Sequence, residues 1–154
     1  MAQAVDAKQQ AATVTAHQIN IQVAKQLANL VRSTLGPYGM DKEMVDAAGE
    51  VVMTNDGATI LKATKLGHPT AKIITEVART QEENCYDGTT SSAVITGELM
   101  DKASGLLDKN IHPTRIAKGY VMANRKAQEC LKEISITVND ELLLAVANTA
   151  MTGK

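Results

Sequence analysis

Three short segments combine glycine with hydroxyl or carboxylate side chains beside the ends of predicted helices. Segment 1 is residues 35–39 (LGPYG), segment 2 is residues 54–59 (TNDGAT) and segment 3 is residues 87–92 (DGTTSS). Glycine lets a backbone approach a ligand closely and present its N–H groups. Carboxylate oxygens bind hard divalent cations, and hydroxyl groups donate hydrogen bonds to phosphate. These residue types therefore suit the binding of a phosphate-bearing ligand together with its metal ion.

Segment 3 carries the strongest of the three signals. Asp87 and Gly88 precede four consecutive hydroxyl residues at a predicted helix start. The first turn of a helix holds unpaired N–H groups and a partial positive charge, which together attract phosphate. Asp87 could also hold a Mg²⁺ ion that bridges phosphate oxygens. Because one Ser or Thr is enough to cap a helix, a run of four leaves both phosphate binding and capping open.

Segments 1 and 2 have structural explanations of their own. The two glycines of segment 1, Gly36 and Gly39, could form an anion-binding nest, or they could close a helix with a C-cap and a turn. Asp56 of segment 2 could orient water or contact a metal, or it could cap the helix that follows. The residues alone favour the structural explanation for both segments.

The elements that must position these segments are mostly helical. The spacing of apolar residues and the Gly, Pro and Asp punctuation predict a mainly α fold with one small β-hairpin. Residues 1–17 are predicted to be a loose arm or an edge strand, and residues 134–138 a short strand or bend. The predicted helices cover residues 19–35, 58–65, 69–84, 89–107, 114–133 and 141–149, the last capped by Asp140, and the hairpin strands cover residues 43–46 and 50–54.

Composition excludes several classes of function. The 154 residues include no Phe, no Trp and only 3 Tyr, so the chain lacks the aromatic platforms on which single-stranded nucleic acid stacks. Its formal charge of −1 offers no basic surface to a nucleic acid. The apolar runs are too short to span a bilayer. With two Cys and no secretory signal in the sequence, we expect a cytoplasmic protein that binds neither nucleic acid nor membrane.

Other site chemistries find no support in the spacing. The three His and two Cys do not follow a zinc pattern, and no complete phosphate-binding P-loop sequence is present. His68 and His112 each precede a proline at a predicted helix start, which favours a role in the turn over a role as a ligand.

The order of the three segments resembles the N-terminal region of group II chaperonins, the family of the archaeal thermosome and the eukaryotic cytosolic chaperonin. The resemblance covers nearly all of the chain after about residue 18. The matching stretches are LGPYGMDKEMVD, VVMTNDGATIL, HPTAKIITEVARTQ, DGTTSSAVITGELM, GLLDKNIHPTRIAKGY and NTAMTGK.

This resemblance implies a fold and a function. It implies the N-terminal half of a chaperonin-type equatorial ATPase domain over residues 18–139, followed by the start of an intermediate domain over residues 140–154. A chaperonin subunit of this kind binds MgATP and drives the folding of client proteins inside a double ring. Its partners would be other chaperonin subunits, and clients would bind through a domain absent from this chain.

The resemblance also implies a role for each residue of the site. Asp56 would position the attacking water as the catalytic carboxylate, and Asp87 would bind Mg²⁺. Lys154 falls where the family begins a loop that senses the γ-phosphate of ATP. The residues implied to bind the nucleotide are Leu35, Gly36, Pro37, Gly39, Gly57, Gly88, Thr89, Thr90, Ser91 and Lys154.

Two departures from the family pattern matter. The family usually has Gly-Asp-Gly-Thr-Thr, whereas Tyr86 stands at the first of these glycines here. If that position needs positive φ, Tyr86 would be strained. The family also places a second catalytic aspartate beyond the part matched here, so we expect little or no ATP turnover from the 154 residues alone. The alternative functions are a chaperonin-like assembly module that does not cycle nucleotide, and a helical adaptor with accidental motifs.

Overall fold

The computed structural model describes residues 2–45, 49–64 and 66–152, with side chains from residue 16 onward. The described residues confirm a mainly helical architecture with one β-hairpin. The elements in chain order are α1 (Ala2–Arg32), β1 (Lys42–Val45), β2 (Val51–Thr54), α2 (Gly57–Ala63), α3 (Pro69–Cys85), α4 (Thr89–Leu107), α5 (Pro113–Ile134) and α6 (Asp140–Ala150).

Helix α1 differs from the prediction at both ends. It begins at Ala2, so residues 2–17 are helical, and the predicted arm or edge strand is wrong. These residues are rich in Ala and Gln, which are good helix formers, and propensity extends the helix where apolar periodicity fades. The helix ends at Arg32 because the next hydrogen bonds span three residues instead of the four of an α-helix. The amide and the hydroxyl of Thr34 both donate to the carbonyl of Val31, at 3.1 and 2.8 Å.

The β-hairpin pairs β1 and β2 antiparallel. Lys42 lies opposite Thr54, and Val45 lies opposite Val51. Residue 46, the predicted end of the first strand, and residues 47 and 48 of the predicted connection lie outside the described residues. The hairpin delivers Thr54 directly to segment 2.

Helix starts carry side-chain caps where the sequence has His-Pro. The Nδ1 atoms of His68 and His112 accept hydrogen bonds from the amides of Thr70 and Thr114, which confirms their predicted role in the turns. The cap predicted for the last helix is wrong by one residue. Asn139, not Asp140, accepts the Leu142 amide at 2.8 Å, because an N-cap side chain reaches the amide three residues ahead.

The segment between α5 and α6 is a bend rather than a strand. Helix α5 continues to Ile134, and residues 135–139 are neither helix nor strand.

The chain divides into two compact units, one up to Lys102 and one from Ala103 to Thr152. The core of the first unit is aliphatic, as a chain with almost no aromatic residues requires. Helices α1 and α4 approach closely, since a Cβ on Gly97 would lie 2.2 Å from the Cβ of Ala28. The buried core residues are Ala24, Leu27, Val31, Ile60, Leu61, Ala71, Ile74, Ala78, Ala93 and Val94.

Polar contacts at the edge of this core hold α1 against its neighbours. Asn20 of α1 accepts a hydrogen bond from the hydroxyl of Thr70 in α3 at 3.0 Å. Lys25 pairs with Asp101 of α4 at 2.7 Å, and Arg32 pairs with Glu98 of the same helix. This packing fixes the positions from which α2 and α4 start.

The second unit contains the end of α4 together with α5 and α6. Ala103 and Ile116 are buried there, whereas most side chains of α5 and α6 are exposed. Among the described residues, no helix is both long enough and apolar enough to cross a lipid bilayer.

Candidate functional site

Asp56 of segment 2 is the N-cap of α2. Its Oδ2 atom accepts hydrogen bonds from the amide and the hydroxyl of Thr59, at 2.8 and 2.7 Å. The Asp56 amide donates in turn to the hydroxyl of Thr54 at 3.1 Å. The structural explanation from the sequence is therefore confirmed, since the carboxylate does cap the helix. These contacts also fix the direction in which the carboxylate faces.

The other carboxylate oxygen of Asp56 meets segment 3. The Thr89 hydroxyl donates to Asp56 Oδ1 at 3.4 Å, a long contact between residues 33 positions apart in the chain. The backbones also approach closely beside this contact. A Cβ on Gly57 would lie 2.5 Å from the hydroxyl oxygen of Thr90 and 3.0 Å from its Cα. Segments 2 and 3 thus meet where α2 and α4 begin.

The environment of Asp56 favours its charged form. Partial burial raises the pKa of the carboxyl group, but hydrogen bonds from the Thr59 hydroxyl, the Thr59 and Ala58 amides and the Thr89 hydroxyl lower it by more. The net effect is a pKa below the ordinary value of an aspartate. Asp56 is therefore a carboxylate at neutral pH and can accept a hydrogen bond.

The turn into segment 3 is tight and left-handed. Helix α3 ends at Cys85, and Tyr86 follows with φ of 56°, a conformation that costs an ordinary residue energy. The residue is 82% exposed, so its ring projects into solvent. Gly88 has φ of 76°. Asp87 Oδ1 accepts the Gly88 amide at 2.8 Å, and Gln81 donates from Nε2 to the Asp87 carbonyl at 2.9 Å.

The start of α4 is open in a way that suits an anion. The Gly88 carbonyl accepts the amide of Ser92 at 2.9 Å, which puts Gly88 at the N-cap position, where it has no side chain to cap the helix. Helix geometry leaves the amides of residues 89–91 without acceptors inside the helix. The hydroxyl residues Thr89 and Thr90 are buried and half-buried beside them. Amides and hydroxyls of this kind are the groups that hold phosphate oxygens.

Segment 1 is closed on itself. The Gly39 amide donates to the Gly36 carbonyl at 2.9 Å, and the Met40 amide donates to the Ser33 carbonyl at 2.8 Å. A Cβ on Gly36 would have no heavy atom within 4 Å beyond its chain neighbours, so the space beside Gly36 is open. Lys154 lies outside the described residues. The described contacts join segments 2 and 3. The binding roles of all the site residues stay predictions, including those of Leu35, Gly36, Pro37, Gly39 and Lys154.

The donor set at Asp87 fits a magnesium ion that is bound together with phosphate. Among the residues with described side chains, no three His, Cys, Asp or Glu groups cluster as a metal cage. Mg²⁺ seldom uses such a cage, and it is commonly bound by one or two carboxylates with substrate phosphates and water. The exposed carboxylate of Asp87, beside the open start of α4, meets that requirement.

Two residues of this site, Thr59 of segment 2 and Gln81, have no predicted role from the sequence. The position of Thr59, three residues after an Asp at a helix start, is a usable signal because that amide is the one an N-cap binds. Gln81 offers no such signal, since its contact with Asp87 depends on how the chain turns after α3.

Comparisons with known proteins show which family the chain is similar to. A family model described as the TCP-1/cpn60 chaperonin family matches residues 27–154. The chain is 54% identical over 140 residues to the thermosome subunit beta of Methanothermobacter thermautotrophicus, covering 90% of this chain and 26% of the relative. It is 53% identical over 142 residues to a thermosome subunit of Pyrococcus horikoshii, with the same coverage. A thermosome subunit beta of Archaeoglobus fulgidus is 54% identical over 142 residues, also with 90% and 26% coverage.

The chain spans about a quarter of the length of these relatives, given the 26% coverage. The match nevertheless includes both segments that meet in the structure, together with segment 1. The resemblance to group II chaperonins is therefore confirmed, and the chain belongs to the TCP-1/cpn60 chaperonin family.

Proposed function

We propose that this chain provides the phosphate- and magnesium-binding part of a chaperonin subunit that hydrolyses ATP to drive the folding of client proteins. The observation that carries the proposal is the contact between the starts of α2 and α4. There an ionised carboxylate, Asp56, lies beside the hydroxyl of Thr89 at the open end of a helix. A carboxylate that can orient water, next to a phosphate-binding helix start, is the arrangement that phosphoryl transfer to water requires.

Each residue of the two segments has a role in this proposal. The amides of Thr89, Thr90 and Ser91 and the hydroxyls of Thr90 and Ser91 hold the phosphates, and Gly88, which has no side chain, lets them approach the start of α4. Asp87 holds Mg²⁺, which supplies charge neutralisation at the phosphate oxygens when it is bound. Asp56 accepts a hydrogen bond from the attacking water and thereby orients it, while Gly57 permits the close approach of α2 to α4.

The remaining roles rest on the family resemblance. Leu35, Gly36, Pro37 and Gly39 would line the nucleotide, and Lys154 would contribute near the γ-phosphate. The intact assembly would be a double ring of chaperonin subunits in the cytoplasm, with clients bound through a domain outside these 154 residues. In domain terms, residues 18–139 would belong to the equatorial domain and residues 140–154 to the intermediate domain.

A second candidate is a chaperonin-like assembly module that keeps ring contacts without cycling nucleotide. The observation that favours it is Tyr86, which stands where the family usually has glycine and adopts the left-handed conformation. Strain in the residue next to Asp87 would weaken nucleotide binding if the turn relaxed to a different shape. In that case, substitution of Tyr86 by Gly would restore binding.

The test is a titration of the chain with MgATP and with MgADP, in which NMR monitors the backbone amide resonances. We expect the resonances of residues 88–91 to shift, and we expect Asp87→Ala to weaken the binding about tenfold or more, because it removes the metal ligand. Asp108→Ala is the matched control, since Asp108 is an exposed aspartate near the end of α4. Absence of any shift, with recovery in Tyr86→Gly, would favour the second candidate.

Steady ATP hydrolysis is not expected from the chain by itself. The resemblance puts a second catalytic carboxylate outside these residues, and water activation would be incomplete without it. A phosphate-release assay on purified chain checks this expectation. Turnover that persists in the wild type and disappears in Asp87→Ala would show it to be wrong.

A further inference from the structure

Gln81 reaches across the end of α3 to the turn that carries Asp87. Its Nε2 atom donates to the Asp87 carbonyl at 2.9 Å. Gln81 belongs to the last turns of α3, whereas Asp87 lies six positions later, in the turn between α3 and α4. The same side chain lies against Gly88, since a Cβ at Gly88 would be 3.3 Å from Gln81 Nε2. Gln81 is therefore hydrogen-bonded to Asp87 and lies close to Gly88.

This contact is linked to the Asp87 carboxylate through one peptide group. The peptide group between Asp87 and Gly88 is planar, so fixing its carbonyl also fixes its N–H. The carbonyl end accepts from Gln81, and the N–H end donates to Asp87 Oδ1 at 2.8 Å. The amide of Gln81, the peptide plane and the carboxylate thus form one continuous hydrogen-bonded chain. A change at Gln81 is transmitted to Asp87 through the backbone.

The turn needs such an anchor because its backbone is unusual. Tyr86 and Gly88 both have positive φ, at 56° and 76°. Two left-handed residues around a single aspartate give a turn that is held by its contacts more than by its own conformational preference. The nearby acidic groups of α3 are already engaged, since Glu82 pairs with Lys62 and Glu83 pairs with Arg79. Gln81 supplies a neutral donor that neither repels a cation nor competes with Asp87 for it.

We propose that Gln81 is a positioning residue for the bound metal–nucleotide: it orients the Asp87 carboxylate toward a magnesium ion beside the start of α4. This inference rests on the proposed function, in which Asp87 holds Mg²⁺. Gln81 touches neither metal nor phosphate in this proposal, and it acts only through the Asp87–Gly88 peptide.

The test compares Gln81→Leu and Gln81→Glu with the wild-type chain. Leucine has a similar volume without a donor, and glutamate keeps the shape but cannot donate when ionised. Gln128→Leu, on the exposed face of α5, is the matched control for loss of a surface amide. The readouts are MgADP affinity by NMR titration, Mn²⁺-induced broadening of the Gly88 and Thr89 amides in the presence of ADP, and the thermal midpoint of each variant.

We expect both Gln81 variants to bind MgADP about three- to tenfold more weakly, the effect of losing one hydrogen bond at a site. Broadening by Mn²⁺ should fall in parallel, while metal-free ADP binds as it does to the wild type and the thermal midpoint changes little. Gln128→Leu should match the wild type in every readout.

The outcomes separate the two proposals. If Asp87→Ala abolishes binding while both Gln81 variants stay within twofold of the wild type, the role of Gln81 is overturned and the proposed function stands. If the affinities for MgADP and for metal-free ADP fell by the same factor in the Gln81 variants, the role of Gln81 would also be overturned, because a general loss of structure does not depend on the metal. A wild-type chain without magnesium-dependent binding would overturn both proposals.

Discussion

Single residues in this chain carry conformational costs that can be measured. Tyr86 is left-handed, exposed and free of packing constraints on its ring, so its backbone energy can be isolated from other effects. Asp56 has the opposite character, because four hydrogen bonds and partial burial set its charge state. Both residues border the candidate site, and each leads to a prediction about stability that requires no ligand.

Tyr86→Gly should stabilise the chain by about 0.5–1 kcal/mol. The left-handed conformation costs a non-glycine residue about 1–2 kcal/mol, and the greater freedom of glycine in the unfolded chain cancels part of the gain. Urea unfolding measures the change. Asn110→Gly is the matched control, since Asn110 also has positive φ, at 59°, but asparagine tolerates that conformation. An equal gain in both variants would contradict the explanation.

Asp56→Ala should destabilise the chain by about 1 kcal/mol at neutral pH, the usual cost of losing an N-cap. Because the folded pKa of Asp56 lies below its ordinary value of 3.8, its ionised form stabilises the fold above that pH, and the contribution is lost as pH falls through the folded pKa. The difference between wild type and variant should therefore narrow in acid.

The measurement is urea unfolding of both proteins from neutral pH down into the acid range. Asp56→Asn serves as the control, since asparagine is also a good N-cap but does not titrate there. It should retain most of the stability and lose the acid dependence that Asp56 supplies. A difference between Asp56→Ala and wild type that is constant with pH would contradict the assignment.

At the scale of elements, the candidate site depends on how closely α2 and α4 begin to one another. The approach is possible because Gly57 has no side chain. A Cβ there would lie 3.0 Å from the Thr90 Cα and 3.1 Å from its amide nitrogen. Backbone atoms cannot move aside as the end of a flexible side chain can, so the start of α4 would have to shift.

Gly57→Ala should therefore destabilise the chain by about 1–3 kcal/mol, the usual cost of overpacking. Gly105→Ala, within α4, is the matched control. A Cβ there meets nothing within 4 Å, so alanine should stabilise the helix by up to about 1 kcal/mol. Urea unfolding gives both values, and NMR shifts at Thr90 report the displacement. If Gly57→Ala left the free energy of unfolding unchanged, α2 and α4 would not be in close contact.

At the scale of the whole molecule, the apolar surface is unevenly distributed. The second unit leaves many large apolar side chains exposed, and the chain as a whole carries a net charge of only −1. Many exposed apolar side chains on a chain with little net charge favour association in solution. The exposed apolar residues of α5 and α6 are Val121, Met122, Leu131, Ile134, Leu143, Leu144 and Val146.

We expect the purified chain to associate as its concentration rises, with the sedimentation coefficient as the measurement. The double variant Leu131→Lys and Leu144→Lys should reduce this association. A control pair, Ile73→Lys and Ile95→Lys, adds the same charge at exposed apolar positions of the first unit. If both pairs reduced association equally, the reduction would come from the added charge and not from the apolar surface of α5 and α6. A wild-type chain that stays monomeric at every concentration would contradict the prediction.

Local signals in the sequence determined most elements of the fold. The helix start at Pro69 and the long helix over residues 89–107 follow from apolar spacing and from proline and hydroxyl residues at helix starts, because these act over only a few positions. The same local rules failed where signals competed. Residues 2–17 lack clear periodicity but have high helix propensity, and the choice between Asn139 and Asp140 as a cap depends on one hydrogen bond.

The sequence by itself also determined which residues could bind phosphate and metal, since Asp87, Gly88 and Thr89 have that chemistry in any fold. Only the tertiary structure decided that Asp56 meets Thr89, because the contact joins residues 33 positions apart and depends on how α1, α3 and the start of α4 pack around α2. The contact of Gln81 with Asp87 was likewise decided in three dimensions. Its hydrogen bond forms because the left-handed Tyr86 turns the chain back toward α3.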